Sequence, residues 1–202
     1  MNKNMRTRSQ AKKYQRLIFW DLETSGLNQY HDEIIEIGAI DDAGNKFQIL
    51  IKPEREISEK ITKITGITNP ELEQKGVPLV QALQEFINFC EKETYDNLYL
   101  IAHNGRGFDD LFLKRDLKKL DLTFPSCNYL DTLLLSKLVL PDRYSYRLGA
   151  LCSHWNIQQI NSHRADDDAY CLSKVYMIMT SIMLEKFPSN EPSYIMEKLC
   201  LN

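Results

Sequence analysis

Short apolar runs, each bounded by polar or turn-forming residues, alternate along the chain with segments of helical periodicity. The apolar runs are too short for helices and predict strands. The predicted strands are residues 17–22, 34–40, 46–51, 98–102 and 127–130. Turn-forming residues at 41–45 join the second strand to the third, so we expect the first three strands to form an antiparallel meander. The fourth strand follows a helix, which predicts that it runs parallel to the first.

Helical periodicity and capping signals predict the remaining elements. They are a short turn at 58–65 that begins at Ser58, a helix opening at 69–70, helices at 79–90, 107–120, 131–138, 146–155 and 166–183, and a short C-terminal helix at 194–199. The order of elements indicates an α/β fold with a mixed five-stranded sheet and helices on both faces. Ligands of such sheets bind at the carboxyl ends of the parallel strands.

The length and composition are those of one globular domain. The chain has 202 residues, of which 43% are hydrophobic and 26% charged. We expect a basic flexible arm at 1–16 and a single domain at 17–202. No apolar run approaches the length of a membrane span, and the N-terminal segment lacks the apolar stretch of a secretory signal. The five widely spaced cysteines fit a reducing compartment. We therefore expect an intracellular protein, cytoplasmic or nuclear, with no membrane partner.

Positive charge is concentrated at the N-terminus. Residues 1–16 hold six bases and no acid, which leaves 19 bases and 28 acids, a formal charge of −9, in the remainder. A basic arm of this kind binds nucleic-acid phosphates or acts as a nuclear import signal. The alternative is a solvated leader without a partner, and the sequence leaves the two open.

Two carboxylates stand at the carboxyl end of the first predicted strand. Side chains alternate across a strand, so Asp21 and Glu23 share one face. Charges at such a position are costly to desolvate unless they are paired or bound to a cation. Oxygen ligands suit a hard cation such as Mg²⁺ or Mn²⁺. The alternative is a strand that ends in exposed acids, because D-x-E is a common tripeptide.

Two further acids begin core-facing helical stripes. Asp109 shares its stripe with Phe112 and Leu113, and Asp168 lies four residues before Leu172 on the long last helix. An acid at the top of such a stripe points towards the sheet, although acids also occur at helix N-termini as simple caps. We interpret the neighbouring Asp110 as a cap.

A histidine precedes the last of these acids. His163 lies five residues before Asp168 and can reach the same site. Imidazole titrates near neutral pH and can act as a general base. An ordinary surface histidine is the alternative for this residue taken alone. Together, four carboxylates from separated segments can hold two divalent cations for in-line phosphoryl displacement. The combination predicts phosphodiester hydrolysis.

Three motifs, in this order, resemble those of the DEDDh (DnaQ-like) 3′→5′ exonucleases. They are FWDLETSGL at 19–27, AHNGRGFDDLFL at 102–113 and HRADDDAY at 163–170, and the resemblance covers about 15–183. It implies a ribonuclease-H-like fold and the release of nucleoside 5′-monophosphates from 3′ ends. Two Mg²⁺ or Mn²⁺ ions are implied as cofactors.

The resemblance also implies roles for individual residues. The metal ligands would be Asp21, Glu23, Asp109 and Asp168, and the general base would be His163. The substrate-binding residues would be Leu22, Thr24 and Leu27 on the terminal nucleotide, with His103 and Asn104 near the substrate 3′ end.

The spacing within the second motif indicates which group of the family the chain resembles. His103 and Asp109 are six positions apart, where most members of the family have five. This form of the second motif is similar to the three-prime repair exonuclease group, which acts on DNA, although the chain lacks the proline-rich loop of some members. We therefore favour hydrolysis of DNA at single-stranded or frayed 3′ ends. The alternatives are a 3′→5′ exoribonuclease and a proofreading or nucleic-acid-binding module of a polymerase complex. The oligomeric state stays open, with a homodimer among the alternatives.

Overall fold

The computed structural model describes residues 14–160 and 163–186. The strands are β1 Gln15–Thr24, β2 Ile34–Asp41, β3 Lys46–Leu50, β4 Asn97–Ala102 and β5 Asn128–Asp131. The helices are α1 Glu59–Thr65, α2 Asn69–Lys75, α3 Leu79–Glu91, α4 Asp109–Lys119, α5 Thr132–Val139, α6 Leu148–His154 and α7 Ala165–Lys186. The C-terminal helix predicted at 194–199 lies outside the described residues.

The strands form one mixed sheet in the order β3-β2-β1-β4-β5. β1 and β3 both pair with β2 in antiparallel register, and β4 is parallel to both β1 and β5. This arrangement confirms the predicted α/β class and the five-stranded mixed sheet. It also puts β1 in the centre, where its carboxyl end is next to that of β4.

Alternate side chains of β1 serve two separate cores. Trp20 belongs to the cluster that α3 and α4 cover, and Phe19 belongs to the cluster that α5, α6 and α7 cover. Both side chains are almost fully buried, and burying a side chain of this size contributes about 1.5–3 kcal/mol. Helices thus lie on both faces of the sheet, as the sequence pattern predicts.

The first strand begins earlier than the predicted boundary between arm and domain. β1 already includes Arg16, whose side chain is 0% exposed. Its Nη2 donates to Oδ2 of Asp41 at 3.1 Å and to the carbonyl oxygen of Phe89 at 3.0 Å. The arm predicted at 1–16 is therefore wrong at its inner boundary, because Arg16 is a buried member of the sheet. Residues 1–13 lie outside the described part of the chain.

Two other boundaries differ where they affect the carboxylates. β1 continues to Thr24, so Glu23 lies within the strand. The helix predicted from residue 107 begins instead at Asp109, after a 3₁₀ turn at Gly105–Gly107. Phe108 breaks the helical path with φ −144° and ψ −78°. Within the described residues, no helix has both the length and the apolar character needed to cross a membrane.

Candidate active site

The end of β1 presents two carboxylates on one face of the sheet. Asp21 is opposite Gly38 of β2, and Glu23 is opposite Glu36. The side chains between and beside them, Trp20 and Leu22, point to the other face and are buried there. A register shift between Glu23 and Thr24 marks the point where the pairing becomes irregular. The alternation of a strand therefore accounts for the shared face of Asp21 and Glu23.

A third carboxylate enters from the start of α4. The register of β1 with β4 ends at Phe19 and Ile101, and beyond it the backbone N–H of Leu22 donates to Oδ1 of Asp109 at 3.2 Å. Asp109 is 4% exposed. Burial raises the pKa of Asp109 to about 7, although the hydrogen bonds from backbone N–H groups oppose this change.

The loop before α4 carries the two residues predicted to contact the substrate 3′ end. Asn104 is in the left-handed region at φ 66°, and its backbone N–H donates to Oδ1 of Asp131 at 2.8 Å. Both ring nitrogens of His103 contact the protein, Nδ1 at 2.9 Å from Oγ1 of Thr132 and Nε2 at 2.7 Å from the carbonyl oxygen of Tyr146. His103 thus joins this loop to the α5–α6 connection through the atoms that a substrate would otherwise use.

The fourth carboxylate and the histidine come from the start of α7. Asp168 lies in the first turn and is 8% exposed. Its Oδ2 accepts a hydrogen bond from the backbone N–H of His163 at 3.1 Å, and its Oδ1 accepts one from Nε2 of Gln159 at 2.6 Å. His163 is exposed, and its backbone is left-handed at φ 63°. Candidate ligand atoms of Glu23, His163 and Asp168 all lie within 4.8 Å of one another.

A single cavity of about 310 Å³ brings all the predicted site residues together. Ten of its lining residues are those predicted from the sequence: Asp21, Leu22, Glu23, Thr24, Leu27, His103, Asn104, Asp109, His163 and Asp168. Leu27 lines it with a side chain that is 84% exposed, whereas Leu22 is buried. A larger adjoining cavity of about 880 Å³ shares His103, Asn104, His163 and Asp168 and extends over residues 144–150.

The carboxylates in this cavity repel one another. Burial first, and then the neighbouring charges of Asp109 and Glu23, raise the pKa of Asp21. Burial and the charge of Asp168 raise the pKa of Glu23 to about 9. Burial also raises the pKa of Asp168, against the hydrogen bond from Gln159. A hard divalent cation removes this repulsion and takes oxygen ligands, so the donor set fits Mg²⁺ or Mn²⁺.

Several residues around the site carry no predicted role. Ile61, Ile64 and Phe108 line the cavity beside Leu27. Glu36 accepts hydrogen bonds from Arg164 and Ala165 at the start of α7. Gln159 donates a hydrogen bond to Asp168. Glu36 has a signal in the sequence, because a lone acid within the apolar run at 34–40 must find a buried partner. Gln159 lies in a polar stretch with no pattern that would single it out.

Comparison with known proteins identifies the family. The model of the RNase_T exonuclease family matches residues 18–176. The epsilon subunit of DNA polymerase III from Buchnera aphidicola (subspecies Acyrthosiphon pisum) is 33% identical over 196 residues, which cover 89% of this chain and 78% of the relative. The PolC-type DNA polymerase III of Ureaplasma parvum is 34% identical over 189 residues, which cover 90% of this chain. The match spans only 13% of that polymerase.

Solved structures share the fold at lower identity. Exonuclease I of E. coli, in complex with a dT13 oligonucleotide, superimposes with a TM-score of 0.70 at 20% identity, covering 87% of this chain and 42% of that one. A zinc-bound form of the same exonuclease in complex with single-stranded DNA gives a TM-score of 0.71. At this identity the likeness defines the ribonuclease-H-like fold alone.

Fold and family together define the class of protein as a hydrolytic exonuclease domain of a metal-dependent family. The chain belongs to the RNase_T exonuclease family, in its DEDDh (DnaQ-like) group. The resemblance carried by the three motifs is thereby confirmed.

Proposed function

We propose that this domain removes nucleotides one at a time from the 3′ end of DNA and releases nucleoside 5′-monophosphates. The observation that carries the proposal is the grouping of Glu23, His163 and Asp168, whose candidate ligand atoms lie within 4.8 Å of one another. Asp21 and Asp109 line the same cavity and complete a set of four carboxylates. Such a set at the carboxyl end of central parallel strands suits phosphoryl chemistry.

In this proposal Asp21, Glu23, Asp109 and Asp168 hold two Mg²⁺ or Mn²⁺ ions. Bound cations supply a lowered pKa for the attacking water and charge stabilisation of the scissile phosphate. His163 accepts the proton of that water as its oxygen attacks phosphorus. The bond from phosphorus to the 3′-oxygen of the preceding nucleotide breaks, and that oxygen takes up a proton. A positioned base of this kind contributes about 10²–10⁴-fold to the rate.

The remaining cavity residues would bind the terminal nucleotide. Leu22 lies between the first two carboxylates along the chain, Thr24 and Leu27 follow them, and all three line the same cavity. The exposed Leu27 offers an apolar surface for a base, and Asn104 lies on the opposite loop near Asp109. We favour single-stranded or frayed ends because a paired end would have to open before its last nucleotide enters a cavity of about 310 Å³.

Similarity to polymerase subunits favours a second candidate role, which is proofreading beside a polymerase. This chain spans 78% of the epsilon subunit of a DNA polymerase III from Buchnera aphidicola. A proofreading domain would use the same site on mismatched, frayed primer ends. An exoribonuclease with this site is a third candidate, because the distinction from DNA depends on contacts to the 2′-hydroxyl.

The test uses matched 5′-labelled and 3′-labelled DNA and RNA oligonucleotides, single-stranded or annealed with matched or mismatched 3′ ends. We expect 5′-labelled single-stranded DNA to shorten as a ladder with Mg²⁺ and to stay intact with EDTA. Faster removal of mismatched than of matched 3′ ends would favour proofreading. Preference for RNA would overturn the substrate proposed here, and absence of cleavage with either cation would overturn the activity.

A further inference from the structure

Glu36 is a fifth carboxylate beside the four proposed ligands, and it is completely buried. It lies on β2 directly opposite Glu23, on the same face of the sheet, with 0% exposure. A buried charge at this place needs partners. The hydrogen-bond donors around the Glu36 carboxylate indicate its role.

All four acceptor positions of this carboxylate are used by the protein. Nη2 of Arg164 donates to Oε1 at 2.7 Å, and Nε of Arg164 lies 3.2 Å from both oxygens. The backbone N–H of Ala165 donates to Oε2 at 2.9 Å, and Nε2 of Gln48 donates to Oε1 at 2.9 Å. A carboxylate offers about four lone-pair sites, so these four donor groups occupy them.

Three of these four donor groups, two from Arg164 and one from Ala165, lie at the beginning of α7. The N–H of Ala165 belongs to the first residue of the helix, where backbone donors lack partners within the helix. Glu36 therefore caps α7 from the neighbouring strand, and its charge also suits the positive end of the helix dipole. At Gly38, two residues along β2, an added Cβ would lie 2.1 Å from the carbonyl carbon of Ala165, so strand and helix start are in direct backbone contact.

Arg164 lies in the chain between His163 and Asp168, the proposed base and a proposed cation ligand. His163 immediately precedes it, and Asp168 follows one helical turn later. The left-handed backbone of His163, at φ 63°, is unfavourable for a residue with a side chain and persists only if its surroundings hold it. Two contacts hold the backbone of His163. The forked pairing with Glu36 fixes Arg164, which follows His163, and the backbone N–H of His163 itself donates to Asp168.

We propose that Glu36 is a positioning residue that, through Arg164 and the start of α7, sets where His163 and Asp168 stand in the cavity. This inference rests on the proposed function of that cavity. Glu36 itself contacts neither substrate nor cation, since its oxygens are directed to protein donors. Its removal should therefore change the cation affinity of the protein as well as the rate of cleavage.

The chain contains a matched control for this effect. Asp41 is on the same strand, is equally buried in an arginine pair, and accepts four hydrogen bonds, from Arg16, Ala43 and twice from Asn45. It lies opposite Ile18, five positions along β2 from Glu36 and away from the cavity. Asp41→Asn should lower the melting temperature as Glu36→Gln does, without touching the start of α7.

The experiment measures Mn²⁺ binding by calorimetry on substrate-free protein, together with the melting temperature, kcat and KM. In Glu36→Gln an amide NH₂ must face one of four donors. We expect about 10- to 100-fold weaker Mn²⁺ binding and a similar fall in kcat, the usual loss when a residue behind a metal ligand is replaced. KM for the oligonucleotide should change little. Asp41→Asn should bind Mn²⁺ as the wild type does.

Arg164→Lys provides a second variant that tolerates the change better, because the Arg164 side chain is 25% exposed. It keeps the charge and loses the fork, so we expect an intermediate loss of Mn²⁺ affinity. Wild-type Mn²⁺ affinity in both Arg164→Lys and Glu36→Gln would overturn the inference. So would an equal loss in Asp41→Asn. A wild type that binds Mn²⁺ but cleaves no nucleic acid would instead overturn the proposed function.

Discussion

The backbone N–H of His163 donates to Oδ2 of Asp168 at 3.1 Å, so the proposed base and a proposed cation ligand are parts of one short unit. The hydrogen bond comes from the main chain and leaves the imidazole ring of His163 available for a proton. It also uses one carboxylate oxygen, while Gln159 uses the other. His163 and Asp168 are thus held together through the main chain, and because the imidazole ring takes no part in this contact, their roles can be separated by substitution.

Replacing Asp168 should abolish cleavage while the protein still folds. In Asp168→Asn the amide has no charge for a cation, and the repulsion among the carboxylates becomes smaller, so stability should be kept. Asp21→Asn should behave in the same way. The measurement is degradation of 5′-labelled single-stranded DNA with Mg²⁺. Asp167→Asn is the control, since Asp167 accepts a hydrogen bond from the backbone of Ile160 and does not line the cavity. Substantial activity in Asp168→Asn would contradict the assignment of the ligands.

Replacing His163 should show whether its ring acts as the general base or as a cation ligand. His163→Ala keeps the backbone N–H that orients Asp168 and removes only the ring. We expect kcat to fall by about 10²–10⁴-fold, with Mn²⁺ affinity nearly unchanged. His154→Ala is a suitable control, because that ring packs against Trp155 at the end of α6. A near-wild-type kcat would remove His163 from the chemistry, and a large loss of Mn²⁺ affinity would make it a ligand instead.

The sequence was sufficient for the sheet and for the direction of the four carboxylates because both depend on local patterns. Apolar runs place Asp21 and Glu23 on one face, and helical stripes turn Asp109 and Asp168 inward. What it could not provide is pairing between distant segments. Glu36 and Arg164 are 128 positions apart, and neither has a local feature that names its partner.

The inner end of the basic arm shows the same limitation. Arg16 reads as one more base of a polar leader until its partner is known. Asp41 lies 25 positions away and provides the buried contact that makes Arg16 part of β1. Charge counting along a sequence cannot distinguish a solvated base from one that a sheet covers.

Removing the arm should therefore spare Arg16. Deletion of residues 1–13 takes away five bases, Lys3, Arg6, Arg8, Lys12 and Lys13. Each base that contacts a phosphate of a single strand contributes about 0.7 to the salt dependence of binding. We expect weaker binding of single-stranded DNA and a slope of log Kd against log salt that falls by up to about 3.5. Replacing the five bases with glutamine in the full chain should give the same change. An unchanged slope would reduce the arm to a leader or a localisation signal.

Stability should depend on pH in opposite ways with and without a cation. Burial raises the pKa of Glu23 from 4.5 to about 9 and that of Asp109 from 3.8 to about 7. Between the lower and the upper value the folded protein keeps a proton that the unfolded chain has lost. The folded state then binds more protons than the unfolded state does, so the free energy of unfolding falls as pH rises through this window. Metal-free protein in EDTA should accordingly melt at a lower temperature at pH 8 than at pH 5.

A divalent cation reverses this dependence because it binds the ionised carboxylates and competes with their protons. At about 100 times its dissociation constant it adds about 2.7 kcal/mol, which corresponds to roughly 5–10 °C in Tm for a chain of this size. The rise in Tm on adding Mg²⁺ should be larger at pH 8 than at pH 5, and Asp21→Asn should reduce it at pH 8. Equal rises at both pH values would mean that the cation binds elsewhere than at the buried acids. Equal melting temperatures in EDTA at the two pH values would mean that these acids are ionised in the metal-free fold.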